Sequence, residues 1–460
     1  MDIYRDILDV DPGHAPTTAA LEAMIAEGTE AVAAAGVLEP VYRQLGESAR
    51  LIAVHEVQIR YEEDKARSVE LLHQVAELHE VHLDQSREAF NAYARALPLD
   101  NANEHTLSSL QRLADVVQGW NDVTRLYDIE VERIRRDTPD DVVDMALRTA
   151  KIYETEVGDV GRAIDRYTIV LGADDMNLEA INALDRLYEG TKRYAELAGV
   201  LQRQIQVAAT PDDILNNQFR LGQVYQHHLA DVDSAIEQYR EILAAAPEHQ
   251  PAMSALELLF AEGVRPLVIG EIVEPIYRMS ESWDRLLNVH EVQLNYQSDP
   301  HERVHMMQRI AEIAEERAAD HDRAYVWVQR ALLEDPSNEQ TLAEVERLGS
   351  VLDHWGQLAN TYVDALARTT DAEQKVALGK RLARVYEEEL ADVARAEETF
   401  RYVLSVNPRD IESLEALDRI YVANGAHHAL SEVLKLRAVA TEDNVDKVEL
   451  SFRLGNVLED

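Results

Sequence analysis

Apolar side chains recur along this chain three, four and seven positions apart, as in Leu221 and Tyr225 on one stretch and Ala235, Tyr239 and Ile242 on the next. That spacing draws one stripe down an α-helix, so it predicts a succession of amphipathic helices. Asn407-Pro408, Asp335-Pro336 and Asn424-Gly425 supply turns that end helices between pairs. One helix pair buries too little apolar surface to offset the roughly 1 to 2 kcal/mol of backbone entropy lost per residue. Stability must therefore come from stacking each pair on the next.

The pattern also repeats on a longer scale. "VHEVQ" stands at Val54–Gln58 and again at Val289–Gln293, 235 positions on. In the same register "EPVYR" at Glu39 falls on "EPIYR" at Glu274, and "YRDILDVDPGHAP" at Tyr4 on "YREILAAAPEHQP" at Tyr239. A shorter period links "AKIYETEVGDVGRAIDRYTIVL" (Ala150–Leu171), "LGQVYQHHLADVDSAIEQYREILAAAP" (Leu221–Pro247) and "LARVYEEELADVARAEETFRYVLSVNP" (Leu382–Pro408). Its marker positions, His79, Tyr153, Tyr225, Ala314, Tyr386 and Leu458, are 74, 72, 89, 72 and 72 apart, which defines a module of about 72 residues.

Leu221, Gly222, Tyr225, Ala235, Tyr239 and Pro247 resemble the tetratricopeptide pattern of Leu-Gly-x2-Tyr, Ala, an aromatic and Pro over about 34 residues. Leu382, Ala383, Tyr386, Ala396, Phe400 and Pro408 repeat it, and the first Trp of that pattern is missing. "ALDRLYEGTKRYAELAGVL" (Ala183–Leu201) and "ALDRIYVANGAHHALSEVL" (Ala416–Leu434) are more degenerate second hairpins. The resemblance covers essentially the whole chain and is similar to large bacterial arrays. It implies an all-α, right-handed α-solenoid of antiparallel hairpins, about 26 helices without a sheet. The expected organisation is one continuous superhelix over 1–460, with an internal super-repeat of 1–235 and 236–460. Helical additions are expected near 23–39 and 258–274, with Pro40 and Pro275 kinking or starting a helix.

Within the second hairpins, paired slots trade bulk: Tyr42/His55, Ala114/Tyr127, Tyr188/Leu201, Tyr277/His290, Gly349/Tyr362 and Tyr421/Leu434. His55 and His290 then read as core imidazoles bonded to a nearby hydroxyl or carbonyl, rather than as ligands or catalysts.

Composition narrows the function classes. With 46% apolar residues, few Gly and Pro and no Cys, the chain is a helical one without disulfides, thiolate metal sites or thiol nucleophiles. Neither a leader nor a membrane span is expected, because no charged stretch followed by an apolar run opens the sequence and no apolar run reaches the ~18 residues a span needs. The net charge of −41 repels phosphate backbones and anionic lipid, and favours protein or peptide partners of cationic character over nucleic acid. Most of those acids are expected simply to keep a long surface hydrated. The compartment is left open.

"HERVH", His301–His305, satisfies the zinc-protease pattern H-E-x-x-H, which puts two imidazoles on one helix face with Glu302 as a base. The equivalent string of the other copy, "ARSVE" at Ala66–Glu70, has no such ligands, and no third ligand stands out, so accident is the preferred reading. His73, His79 and His82, and the pairs His227-His228 and His427-His428, read as solvated or half-packed residues. No phosphate loop, nucleophile elbow or calcium loop occurs, so neither a cofactor nor catalysis is expected.

In tetratricopeptide folds the first helix of each hairpin lines the concave face, and the groove position lies two residues before the Tyr slot. Carried over by the resemblance, that position holds Glu77, Lys151, Gln223, Glu312 and Arg384 in the first hairpins, and Arg112, Arg186, Arg347 and Arg419 in the second. The four arginines form a ladder with two readings. They grip carboxylates of an extended peptide, or each pairs with a glutamate of the adjacent repeat, which the surplus of acids favours. The clamp that takes C-terminal carboxylates needs a Lys and Asn set that this sequence lacks.

The chain starts within a second helix, at 1–12, and ends within a first, at 448–460. Val448, Leu454, Val457 and Leu458 are expected to form an uncovered apolar face of an incomplete array, open to self-association. The function expected is a non-catalytic scaffold binding protein or peptide partners along the groove. An architectural spacer or self-associating filament segment is the alternative, and a zinc metallopeptidase the remote one.

Overall fold

The computed structural model describes residues 1–459; Asp460, at the end of the expected superhelix, lies outside them. Among the described residues there are helices and turns and no strand. The chain divides into two compact units, Met1–Gln238 and Tyr239–Asp460.

In the first unit, α1 (Asp2–Val10), α2 (Ala15–Glu27), α3 (Ala31–Leu45) and α4 (Ser48–Tyr61) are followed by α5 (Lys65–Glu77), α6 (Ser86–Ala96), α7 (Glu104–Val117) and α8 (Trp120–Asp137). Then come α9 (Val142–Ile152), α10 (Val160–Ala173), α11 (Leu178–Thr191), α12 (Tyr194–Val207) and α13 (Pro211–His227). Helix α14 (Val232–Ala245) holds the last residues of this unit and the first of the second. The second unit continues with α15 (Gln250–Ala261), α16 (Pro266–Met279), α17 (Trp283–Leu294), α18 (Pro300–Glu316), α19 (His321–Glu334) and α20 (Glu339–Val351). It closes with α21 (Trp355–Arg368), α22 (Ala372–Arg384), α23 (Val393–Val406), α24 (Ile411–Asn424), α25 (His427–Ala440) and α26 (Asn444–Glu459). Each helix packs chiefly on its neighbours in sequence, joined by short turns, so each unit is a row of antiparallel hairpins.

Polar side chains start the helices. Asp64, Asn103, Asp159, Asn177, Asp299, Asp320, Asn338, Asp371, Asp392 and Asp410 each accept a first-turn amide. The turns carry the module period in the backbone itself. Asp84, Gly158, Ala230, Ala319 and Ala391 are left-handed between the two helices of first hairpins. Gly46, Gln118, Lys192, Glu281, Asp353 and Gly425 are left-handed in second hairpins. At every first-hairpin turn the amide of an aspartate or Gln85 closes back six residues, as in Asp159 to the Tyr153 carbonyl at 2.9 Å and Asp392 to the Tyr386 carbonyl at 2.7 Å.

The 17-residue stretches at 23–39 and 258–274 run from the end of one helix through a left-handed turn, at Gly28 and Gly263, into the next. Three helices thus stand there where other modules have two. Pro40 and Pro275 do not start helices; they lie inside α3 and α16.

Apolar stripes merge into a long core within each unit, from Val75 to Val224 in the first and Leu287 to Leu450 in the second, with separate clusters of Leu8 to Val54 and of Val69, Leu72 and Ala96. All the paired slot residues are buried. The side chains nearest Gly349 are Leu358 of its own hairpin and Tyr325 of the preceding one, however, while Tyr362 turns its hydroxyl to Glu346 at 2.7 Å. Tyr42 and Tyr277 reach back to the preceding helices α2 and α15, donating to Glu22 and Glu257 at 2.7 Å each.

Candidate functional site

The first helices of the hairpins present the face on which the ladder stands. Arg112, Arg186, Arg347 and Arg419 leave their helices two residues before the Tyr slot, with side chains 54, 65, 45 and 64% exposed. Each is ion-paired with a glutamate 32 residues earlier, just past the Tyr slot of the preceding first helix. Arg112 grips Glu80 with both guanidinium nitrogens, Arg186 meets Glu154 at 2.5 Å, Arg347 meets Glu315 at 2.5 Å, and Arg419 meets Glu387 at 3.2 Å. These arginines therefore link consecutive first helices within a module. Hydrogen bonds from the guanidinium hold the Glu80 and Glu315 carboxyls below the ordinary carboxylate range, against desolvation.

Other ion pairs join one module to the next on the same face. Arg148 pairs with Glu104, Arg220 with Asp185 at 2.9 Å, Arg381 with Glu346 at 2.9 Å and Arg453 with Asp418 at 2.7 Å. Lys151 meets Glu179 at 2.5 Å, and Arg384 pairs with Glu412, so these two groove cations are also engaged. Glu77, Gln223 and Glu312 are exposed.

The glutamates that receive the ladder were not singled out from sequence. Their signal was present: Glu80, Glu154, Glu315 and Glu387 each follow a marker position by one residue.

A cavity of about 890 Å³ opens on this face in the second unit, lined by Gln308, Arg309, Glu312, Glu316, Thr341 and Glu344 beside the Arg347–Glu315 pair. Four glutamates face two arginines there. Smaller recesses of about 460 and 510 Å³ flank Arg148 in the first unit.

His301 and His305 sit exposed at the start of α18, where Asp299 caps the amides of His301 and Glu302 at 2.9 and 3.1 Å. Among the described residues no group of three or more His, Asp and Glu side chains is placed to hold a metal ion. His55 and His290 are buried, each with Nδ1 against a glutamine carbonyl of its own helix, Gln58 at 2.9 Å and Gln293 at 3.1 Å. His73 packs edge-on to His105 at 4.8 Å and bonds Thr106, and His228 stacks on Tyr194 at 3.7 Å. No helix among the described residues is long and apolar enough to cross a membrane.

No family model and no curated protein matches this chain. Solved structures with a similar course include a tetratricopeptide repeat protein from Parabacteroides merdae ATCC 43184, at 14% identity over 61% of this chain and 98% of that one, TM-score 0.25. The APC/C hetero-tetramer Cut9-Hcn1 aligns at 12% identity over 98% and 95%, TM-score 0.23. The P58(IPK) TPR domain aligns at 14% over 69% and 98%, TM-score 0.19. The order and pairing of the helices described above, rather than these likenesses, define the helical repeat fold.

Proposed function

We propose that the protein is a non-catalytic scaffold that binds a cationic protein or peptide segment along the face of its first helices. The observation that carries this reading is the 890 Å³ cavity, where Glu315 and Glu344 both engage Arg347 and the remaining carboxylates of Glu312 and Glu316 outnumber Arg309. A groove with surplus carboxylate attracts lysine and arginine side chains and repels acidic ones. In this reading Arg112, Arg186, Arg347 and Arg419 support the groove, and Glu312 and Glu316 read the ligand.

The test is affinity capture with three forms of the full chain: wild type, Glu312→Lys/Glu316→Lys, and the ladder variant with all four arginines changed to Ala. The acidic-site variant is expected to lose the proteins that wild type retains. The ladder variant is expected to retain them while melting at a lower temperature. A folded ladder variant that loses the same proteins, with the Glu variant unaffected, would reverse the assignment.

A second reading, self-association, rests on α26, where Val445, Val448 and Phe452 are 75, 71 and 71% exposed while Leu454 and Val457 pack against the core. Sedimentation over a concentration range checks it, and a strictly monomeric species would exclude it.

A further inference from the structure

In the first unit Asp128 of α8 stands against the following hairpin. It accepts from Arg166 Nε at 2.8 Å and from Tyr153 Oη at 2.6 Å. Arg166 also reaches Glu132, one turn along α8, at 3.3 Å. The Arg166 and Asp128 side chains are only 16 and 20% exposed, so this charged cluster fills the space between α8 and α10.

The second unit keeps the scaffold and drops the charges. Helix α21 follows α8 by 235 residues, and α22 and α23 follow α9 and α10 by 233, which puts Val363, Ala367 and Thr399 where Asp128, Glu132 and Arg166 stand. Shared contacts fix this register: Arg133 and Arg368 donate to the carbonyls of Pro98 and Leu333, and Arg162 and Arg395 lie 5.6 Å over the rings of Tyr153 and Tyr386. All three members of the cluster are exchanged together.

Replacing a buried ion cluster by apolar side chains of equal volume is commonly neutral or stabilising. Here Arg gives way to Thr and Glu to Ala, so volume is lost at those positions, and the larger Leu366, Leu382 and Tyr402 in place of Val131, Thr149 and Ile169 still leave an open recess. A cavity of about 490 Å³ opens between α21 and α23, with Val363, Leu366 and Leu382 as apolar lining and Tyr386, Thr399 and Tyr402 around it. Leaving such space unfilled costs packing energy. At other modules the position of Val363 carries a polar bridge instead: Glu56 takes Arg95, Gln202 donates to Tyr225, and Glu291 takes Arg323 and Trp327.

The mouth is dressed for a ligand. Val363 and Tyr402 are exposed, and the Tyr386 hydroxyl makes no hydrogen bond to any described residue. Arg395 is held by Asp392 at 3.4 Å, whereas Glu398 has no ion-pair partner among the described residues.

We propose that this cavity is a socket for one bulky apolar side chain, Leu, Phe or Trp, of a partner segment that carries lysine or arginine beside it. The apolar lining takes the anchor, and Glu398 faces a flanking cation, in keeping with a chain of net charge −41. The inference rests on the scaffold reading and names a second point of attachment, on the second helices of the hairpins.

Three short fluorescein-labelled peptides test it by anisotropy on the full chain: one with a Trp centre and Lys flanks, one with Ala replacing Trp, and one with Glu replacing Lys. The first is expected to bind wild type at least about tenfold more tightly than the others. Val363→Asp/Ala367→Glu/Thr399→Arg, which rebuilds the cluster of the first unit, is expected to abolish that preference. The reverse set, Asp128→Val/Glu132→Ala/Arg166→Thr, is expected to add a second equivalent of bound peptide. If the first triple variant does not fold by circular dichroism, Val363→Asp alone, at an exposed position, gives the same readout. Absence of binding at millimolar peptide, equal binding of the Ala-centred peptide, or unchanged binding by the folded variant would overturn the proposal. These variants leave Glu312 and Glu316 untouched, so failure here and failure of the first-helix groove are told apart.

Discussion

At His290 the ring Nδ1 meets Gln293 while Nε2 finds no hydrogen-bond partner, its nearest ion-pair oxygen being Glu274 Oε1 at 3.9 Å. Burial lowers the imidazole pKa below its ordinary 6.5, opposed by the Gln293 bond and the Glu274 charge. The folded chain therefore resists a proton that the unfolded chain accepts, and this site subtracts stability as pH falls below about 6.5. His290→Leu is near volume-conserving and is expected to cost under about 1.5 kcal/mol at pH 7.5, and less at pH 5.5, by urea denaturation. A larger cost at the lower pH would show that the ring is protonated in the fold. Glycines separate in the same way by what surrounds them. A Cβ at Gly349 would meet nothing closer than 3.5 Å, so Gly349→Ala should stabilise α20 by about 0.5 to 1 kcal/mol. At Gly379 it would lie 2.6 Å from Val403 Cγ2, on a stiff β-branched side chain, so Gly379→Ala should destabilise; melting temperatures of the two variants check both signs.

Helices and their turns obey different rules here. Leu221, Tyr225, Ala235 and Tyr239 made the helices legible because helical periodicity and burial agree at those positions. The turn residues were harder to see. Ala230, Ala319 and Ala391 are left-handed where Gly158 is, because closure of the next helix onto the last one dictates the backbone there, whatever residue holds it. A left-handed alanine costs roughly 1 kcal/mol or more, so Ala391→Gly is expected to raise stability by about that amount in chemical denaturation, and no change would mean the turn is relaxed. The ladder was legible on its arginine side only. Among 86 acidic residues, the regular place of Glu315 one residue past a marker position gains its meaning only when helix stacking sets it against Arg347. That pair also sets an acid response. The Glu315 carboxyl is held low by the Arg347 hydrogen bond, so its contribution is present above the unfolded carboxylate value and fades as pH falls through the lower folded one. Glu315→Gln should cost about 0.5 to 1 kcal/mol at pH 7, the scale of a partly exposed pair, and progressively less as pH falls through the carboxylate range, by urea denaturation.

Over the whole molecule the socket near Val363 was invisible for a related reason: it is made by three charges that are missing, at positions 363, 367 and 399, and it appears only once α21 and α23 are seen side by side. Charge also acts on the molecule as a whole, in two opposing ways. Short ion pairs such as Arg453–Asp418 and Arg220–Asp185 hold helices together, and each is worth at most about 1 kcal/mol where exposed. Against them stands a net charge of −41, whose mutual repulsion runs between groups too far apart to be contacts and works against the compact state. Salt distinguishes the two by distance. Raising ionic strength to about 0.1 M shortens the screening length to about 10 Å, which quenches the long-range repulsion while leaving partly buried pairs near 3 Å largely intact. The melting temperature is therefore expected to rise as sodium chloride is added from low millimolar to about 0.5 M, with most of the gain below about 0.15 M. A fall over that range would mean that the inter-helix pairs, rather than the surplus of carboxylates, dominate the electrostatics of the array.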